Sequence, residues 1–210
     1  MNRYVGAMST FIPAAKKGNW AIEHFTMTKA EVDFEKMRGA FRPGGYREVY
    51  DLVPGNYVRL VWNGYETVMS DTPMELRTQE YEARRAKGDC LVGGLGLGIF
   101  ILKLQEKPEV NSILVVEKDQ DIIDLVQPNL PLTTKVTILK GDIFEKDVVD
   151  RTQRFDFIYF DIWANICGDN APEVGRLRRR YRPLLRKENP EAWIGAWREE
   201  DFAYHHRQNR

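Results

Sequence analysis

A glycine-rich turn is the strongest chemical signal in the sequence. Gly94, Gly96 and Gly98 follow an apolar run that starts at Cys90, and an apolar helical stretch begins at Ile99. Glycines permit a tight turn and let a ligand approach the backbone, while the helix offers free N–H groups and the positive end of its dipole. The turn therefore predicts a nucleotide-like ligand, with close packing of helix on strand as the plainer alternative. A dinucleotide fingerprint needs a third glycine where Ile99 stands, which disfavours a nicotinamide ligand.

Two acidic residues follow the next apolar runs. Glu117 closes the run 113–117. A carboxylate roughly twenty residues after the glycines can accept hydrogen bonds from both hydroxyls of a ribose. Asp142 follows the run 136–139, where an acid can accept a hydrogen bond from the exocyclic amine of adenine. An ordinary charged strand end is the alternative for Glu117, and Asp119 is expected to cap a helix.

A third acid, Asp161, closes the apolar run 155–161. A carboxylate over a ligand crevice can take a proton from an attacking amine or hydroxyl, or orient it, so Asp161 is the candidate catalytic residue. A helix cap or a simple binding contact is the alternative. Trp163 and Asn165 are candidates for substrate binding, although a core aromatic is the more common role for a tryptophan. We expect Asn170 to cap the next helix.

From Asp89 onward, short apolar strands alternate with helical stretches, which predicts a parallel sheet covered by helices on both faces. We expect strands at 90–94, 113–117, 136–139, 155–161 and 193–197, and helices at 99–106, 120–127 and 171–185. The predicted fold is an α/β, Rossmann-like doubly wound and mostly parallel sheet, whose ligand lies beyond the carboxyl ends of the strands. Residues 89–210 would form this domain, and residues 1–88 a small N-terminal β-hairpin-containing extension.

The N-terminal extension has a hairpin signal and two helix starts. Residues 57–62 and 67–69 flank Asn63-Gly64, a pair suited to the positive φ angles of a type I′ turn. Two pairs have the spacing of a capping box: Thr28 with Glu31, and Thr72 with Glu75. The second helix is expected to run to about Ala86.

The composition is that of an ordinary folded protein. The chain has 210 residues, of which 43% are hydrophobic, and its 31 basic residues balance 31 acidic ones. This balance disfavours nucleic acid and anionic membranes as partners. The arginine-rich stretch 176–187 leaves a local nucleic-acid patch open, with a solvated helix face as the plainer alternative. No run is long enough to span a bilayer, and the chain has only two cysteines and no metal-site spacing, so we expect a cytoplasmic protein without a metal.

The motifs together resemble the class I S-adenosylmethionine-dependent methyltransferase superfamily, and within it the spermidine-synthase-like branch. The turn 94–98 resembles its first motif, 115–119 its ribose motif, 141–142 its adenine motif, and 155–161 its fourth strand. The resemblance implies that S-adenosylmethionine, or a close analogue, is the cofactor. It assigns cofactor binding to residues of these motifs and to the residue after the adenine motif: Gly94, Gly96, Gly98, Glu117, Lys118, Asp142 and Ile143. A closer likeness is to short, uncharacterised phage-type proteins with a DIW…NI…DN signature, present here in 161–170.

Departures from the motifs favour a methyltransferase of unknown acceptor. Aminopropyltransferases carry an aspartate where this chain has Leu97, and a second aspartate where it has Ala164. An aminopropyltransferase is therefore the less favoured alternative. A second alternative is a non-catalytic protein on a degenerate methyltransferase fold. It stays open because the sheet is expected to stop after its fifth strand, which leaves the acceptor side short. Small-molecule and macromolecular acceptors both stay open, as does a homodimer.

Overall fold

The computed structural model describes residues 4–41 and 49–208. The strands in this part of the chain are β1 Ala15–Lys17, β2 Trp20–Met27, β3 Gly55–Trp62, β4 Glu66–Ser70, β5 Gly88–Gly93, β6 Val110–Glu117, β7 Val136–Lys140, β8 Phe157–Phe160 and β9 Trp193–Ala196. The α-helices are α1 Lys29–Ala40, α2 Pro73–Thr78, α3 Glu80–Arg85, α4 Ile99–Gln105, α5 Gln120–Val126, α6 Asn170–Tyr181 and α7 Glu199–Gln208.

The C-terminal strands form a parallel sheet in the order β7-β6-β5-β8-β9. This confirms the predicted α/β, Rossmann-like doubly wound fold. The chain winds outward from β5 through β6 to β7, and then returns to the other side of β5 with β8. A crevice opens beyond the carboxyl end of β5, where the winding direction reverses, and such crevices bind ligands in folds of this type.

The N-terminal strands form an antiparallel sheet in the order β1-β2-β3-β4. Asn63 and Gly64 lie in the β3–β4 turn with φ angles of 52° and 79°, as their types predict. The loop has three residues and not two, because Trp62 pairs with Glu66. β1 and β2 are additional to the strands expected from the sequence. The N-terminal sheet contacts α5, where the Trp20 indole donates a hydrogen bond of 2.6 Å to Asp119.

Helix starts agree with the sequence at two positions. Thr28 and Glu31 form the predicted capping box, and Asp119 caps α5 through the N–H of Asp121. The predicted box at Thr72 is wrong, because the Thr72 hydroxyl hydrogen-bonds Ser70 at 2.9 Å.

Two further expectations about helices are wrong. The helix predicted to run to Ala86 is broken at Gln79 into α2 and α3. Asn170 does not cap α6: it is the first residue of the helix, and its amide donates to the Asn165 carbonyl oxygen at 2.8 Å.

One cluster of buried apolar side chains extends through both sheets, from Met8 and Leu60 to Leu91 and Phe157. The division of the chain at residue 88 stays a prediction. Among the described residues, no helix is long and apolar enough to cross a membrane.

The arginines of α6 contact the protein's own elements. Arg176 pairs with Glu173 at 3.1 Å, and Arg178 pairs with Glu199 at 2.9 Å. Arg180 donates a hydrogen bond to the Phe144 carbonyl oxygen. Much of the positive charge of this helix is therefore neutralised or used within the fold.

Candidate functional site

Strand register brings the predicted residues to one edge of the parallel sheet. Gly93, at the end of β5, lies opposite Val116 of β6 and Phe160 of β8. The residues that follow these three, Gly94, Glu117 and Asp161, therefore lie side by side. Backbone hydrogen bonds continue past the strands, from Gly94 N to Val116 O at 2.9 Å and from Asp161 N to Gly93 O at 2.8 Å.

The glycine turn requires glycine by its conformation and by its contacts. Gly94 has a φ of 97°, and a Cβ at this position would lie 2.1 Å from the Asp161 carbonyl oxygen. Gly96 has a φ of 52°, and its Cβ would lie 2.6 Å from the Met69 sulfur. Only glycine lets the turn lie this close to the end of β8 and to the N-terminal sheet.

Gly98 has a different position from the other two glycines. It lies just before α4 with a φ of 75°, is buried, and faces Leu130. It is not among the residues that line the cavity described below. Its contribution is to start the helix and so to hold the turn.

Glu117 is buried at the end of β6. Its two carboxylate oxygens accept hydrogen bonds from Leu95 N at 2.9 Å and Asp119 N at 2.8 Å. Burial raises the pKa of Glu117, while these backbone hydrogen bonds lower it. Each carboxylate oxygen has a second lone pair, so the group can hold the glycine turn and still accept hydrogen bonds from ligand hydroxyls.

The remaining predicted cofactor residues lie on the β6 and β7 side of the edge. Asp142 accepts a hydrogen bond from Phe144 N at 2.8 Å through one oxygen. Ile143 is a buried apolar wall, and Lys118 is exposed at the rim. The carboxylate of Asp142 can accept a hydrogen bond from a flat polar ring, and the side chain of Ile143 can pack against its face. Lys118 places a positive charge at the rim of the cavity.

A cavity of about 520 Å³ occupies this edge of the sheet. This volume lies in the range of small-molecule sites, roughly 300–1,000 Å³. Its lining includes nearly all of the predicted site residues: Gly94, Gly96, Glu117, Lys118, Asp142, Ile143, Asp161, Trp163 and Asn165. Six of the described lining side chains are carboxylic acids and one is a lysine.

The residues present fit an adenosyl sulfonium ligand. The glycine turn forms a cradle that a Cβ at Gly94 would fill. Glu117 and Asp142 offer acceptors for hydroxyls and for an amine, and the acidic lining suits a positive charge.

Asp161 receives a hydrogen bond from a distant part of the chain. The side-chain amide of Gln79, which is fully buried, donates to Asp161 Oδ2 at 2.9 Å. Burial raises the pKa of Asp161 to about 7, with a smaller lowering from this hydrogen bond and a raising by the charge of Glu82. A carboxyl group with a pKa near neutrality can both accept and release a proton at the pH of most cells.

Glu75 is a cavity residue that the sequence assigns to a helix cap. It lines the cavity from α2, and burial raises its pKa to about 8. The charge of Asp161 contributes to this rise, and the charge of Arg198 opposes it. No local sequence signal marks Glu75 or Gln79 as site residues, because only tertiary packing brings α2 and α3 against β8.

Trp163 and Asn165 line the cavity from the segment that follows β8. The Trp163 indole donates to Glu173 Oε2 at 2.8 Å and packs edge-on against Phe202, with ring centroids 5.3 Å apart. Trp163 is therefore partly a core aromatic and partly a cavity wall. Asn165 is exposed at the rim.

The N-terminal sheet supplies an apolar wall that the sequence does not indicate. Trp20, Leu60, Val68 and Met69 all line the cavity. Leu97 N donates to the Met69 sulfur at 3.3 Å, so this wall directly contacts the glycine turn.

No protein-family model matches the chain, and no curated protein matches it. Solved structures match its fold at low sequence identity. A spermidine synthase in complex with the transition state analogue AdoDATO is 14% identical, with a TM-score of 0.51 over 82% of this chain and 54% of that chain. The spermidine synthase from Thermotoga maritima is 12% identical, with a TM-score of 0.50 over 94% of this chain and 61% of that one.

Methyltransferases also match over part of the chain. An S-adenosylmethionine-dependent methyltransferase from Mesorhizobium loti is 18% identical, with a TM-score of 0.39 over 51% of this chain and 49% of that chain. The chain spans about half to three fifths of the length of these solved structures. The likeness to short phage-type proteins stays a prediction. The chain has a Rossmann-like α/β fold that is similar to the fold of the spermidine synthases.

Proposed function

We propose that this protein binds S-adenosylmethionine and transfers its methyl group to an acceptor. One observation carries the proposal: Gly94, Glu117, Asp142 and Asp161 line a single cavity at the carboxyl edge of the parallel sheet. These residue types meet the needs of a sulfonium nucleoside in the order expected along the sheet edge.

S-adenosylmethionine supplies a methyl carbon that its sulfonium already activates, so the chain has only to position an acceptor and take up its proton. Gly94 and Gly96 let the cofactor approach the backbone, and Glu117 accepts hydrogen bonds from its ribose. Lys118, Asp142 and Ile143 surround the base. Asp161 orients the acceptor and accepts its proton. Trp163 and Asn165 line the space that the acceptor occupies.

Two observations favour methyl transfer over aminopropyl transfer. Leu97, which occupies the position of the loop aspartate of aminopropyltransferases, is fully buried and does not line the cavity. Ala164 does line the cavity, but it carries no charge with which to hold a polyamine.

The charge of the cavity bears on the acceptor. An anionic phosphate would meet the carboxylic acids of the lining and only one lysine. Nucleic acid is therefore disfavoured as the acceptor. A cytoplasmic location and a homodimer stay predictions.

Calorimetric titration with S-adenosylmethionine, S-adenosylhomocysteine, decarboxylated S-adenosylmethionine and NAD tests the proposal. We expect the first two to bind and NAD not to bind. Stronger binding of the decarboxylated form would support aminopropyl transfer instead. Binding of none of the four would overturn the proposal and support a non-catalytic protein.

Turnover is tested separately from binding. Methyl transfer from a labelled cofactor to a set of amines, phenols and thiols should give a labelled product with the wild-type protein. Asp161→Asn should keep cofactor binding and lose turnover, because the amide cannot accept the proton of the acceptor. Unchanged turnover in this variant would remove Asp161 from catalysis.

A further inference from the structure

The break between α2 and α3 directs a set of polar side chains towards Asp161. Gln79 lies between the two helices, is fully buried, and donates a 2.9 Å hydrogen bond to Asp161. Glu75 is four residues before Gln79 and Glu82 is three residues after it. Glu75 lines the same cavity as Asp161, and the charge of Glu82 raises the pKa of Asp161.

Other titratable and charged groups around Asp161 come from β8, α6 and the residue before α7. Tyr159 of β8 is fully buried, and its hydroxyl has no hydrogen-bond partner among the described residues. Arg198, just before α7, attracts Glu75 but also pairs with Asp201 at 2.6 Å. Glu173 of α6 lines the same cavity and accepts from Trp163. The charge of Asp161 therefore acts on Glu75 more strongly than the opposing charge of Arg198.

We propose that Glu75 is a positioning residue for Asp161: the two carboxyl groups line the same cavity and act as a coupled pair, while Gln79 fixes one oxygen of Asp161. The other Asp161 oxygen then stays available to an acceptor. The role of Asp161 as the proton acceptor rests on the proposed function, whereas the carboxyl pair can be measured without any ligand.

The order of ionisation follows from the surroundings of each group. Burial raises the pKa of Asp161 to about 7, although the hydrogen bond from Gln79 lowers it. Burial and then the charge of Asp161 raise the pKa of Glu75 to about 8. Because the Gln79 amide donates to Asp161 and so favours its charged form, Asp161 ionises first, and its charge keeps the proton on Glu75. Once Asp161 is ionised, Glu75 is a hydrogen-bond donor and Asp161 is a base.

Carboxyl-selective ¹³C NMR of the full chain, titrated from pH 5 to pH 10, tests the pair. The Glu75 and Asp161 signals are assigned by their loss in Glu75→Gln and Asp161→Asn. In the wild-type protein we expect Glu75 to titrate above pH 7. In Asp161→Asn, which removes the like charge, we expect the Glu75 midpoint to fall by about one pH unit or more.

The matched control is Glu173→Gln, which removes a carboxyl from the same cavity but not from the pair. It should leave the Glu75 midpoint unchanged. A Glu75 midpoint in the ordinary carboxyl range, an unchanged midpoint in Asp161→Asn, or an equal shift in Glu173→Gln would each overturn the proposal.

A second variant keeps the test usable if Asp161→Asn does not fold, as checked by circular dichroism. Gln79→Met removes the hydrogen bond to Asp161 at nearly constant side-chain volume, so the midpoint of the Asp161 titration should rise. An unchanged midpoint would contradict the positioning of Asp161 by Gln79. Calorimetry with S-adenosylmethionine on the same samples separates the two proposals. If S-adenosylmethionine does not bind, only the proposed function is overturned. If Glu75 and Asp161 do not titrate as a coupled pair, only this inference is overturned.

Discussion

The side-chain amide of Gln79 donates a hydrogen bond to the carboxylate of Asp161, although 82 residues separate them in the chain. Gln79 comes from the break between two short helices that precede the parallel sheet, and Asp161 from the end of β8. The contact joins the N-terminal part of the chain to the candidate catalytic group. It makes the ionisation of Asp161 depend on residues outside the Rossmann-like sheet.

Asp161→Asn should stabilise the fold at alkaline pH. The pKa of Asp161 is raised from 3.8 to about 7 in the folded protein, so between these values the folded state binds more protons than the unfolded chain. The contribution of this carboxyl to stability is therefore fully present below about pH 4 and is lost as the pH rises through 7. Urea unfolding should give a gain of about 1–3 kcal/mol at pH 8 and little change at pH 4.

The control for this stability measurement is Asp124→Asn. The pKa of Asp124 is lowered by its hydrogen bond with Lys17, so the sign of its pH dependence is opposite. No gain at pH 8 is expected for this variant. A gain equal to that of Asp161→Asn would show that general surface charge causes the effect, and not the burial of Asp161.

Glu117→Gln should weaken S-adenosylmethionine binding about 10- to 100-fold, which corresponds to roughly 1.4–2.7 kcal/mol. Both Glu117 oxygens accept from backbone N–H groups, so the NH₂ of a glutamine would face one of these donors. Calorimetry measures the dissociation constant. An affinity equal to that of the wild-type protein would remove the ribose role of Glu117.

Gly94→Ala and Gly64→Ala separate close approach from backbone strain. Both glycines have positive φ, but a Cβ on Gly64 meets no atom within 4 Å, whereas a Cβ on Gly94 would lie 2.1 Å from the Asp161 carbonyl oxygen. We expect Gly64→Ala to cost about 1–2 kcal/mol. Gly94→Ala should cost at least about 3 kcal/mol and abolish cofactor binding. Equal losses of stability would contradict the close contact at Gly94.

Arg186→Ala should destabilise the protein by about 1–2 kcal/mol, because Arg186 binds two acids at the start of the parallel sheet. Its guanidinium lies 2.7 Å from Asp89 and 3.1 Å from Asp156. The control, Arg179→Ala, removes an exposed arginine from the same basic stretch and should change stability by less than about 0.5 kcal/mol. Thermal unfolding compares the two, and equal effects would contradict a structural role for Arg186.

The sequence by itself determined the parallel sheet and its ligand edge. Apolar runs at regular spacing predict strands, and the glycine turn and the acids Glu117, Asp142 and Asp161 follow those strands directly. Their positions depend on local pattern and on the rule that parallel strands end at one edge. In the structure, the register of β5 with β6 and β8 brings the glycine turn and these acids together, as the pattern predicts.

Only the tertiary structure decided which other groups face Asp161. Glu75 has the spacing of a capping box and Gln79 lies in a helical pattern, yet the helix breaks at Gln79 and both side chains turn towards β8. Met69 reaches the glycine turn from the N-terminal sheet in the same way. Local propensity gives no information on contacts between residues far apart in the chain. Those contacts depend on how the two sheets and their helices pack, and they set the burial and the pKa of the candidate base.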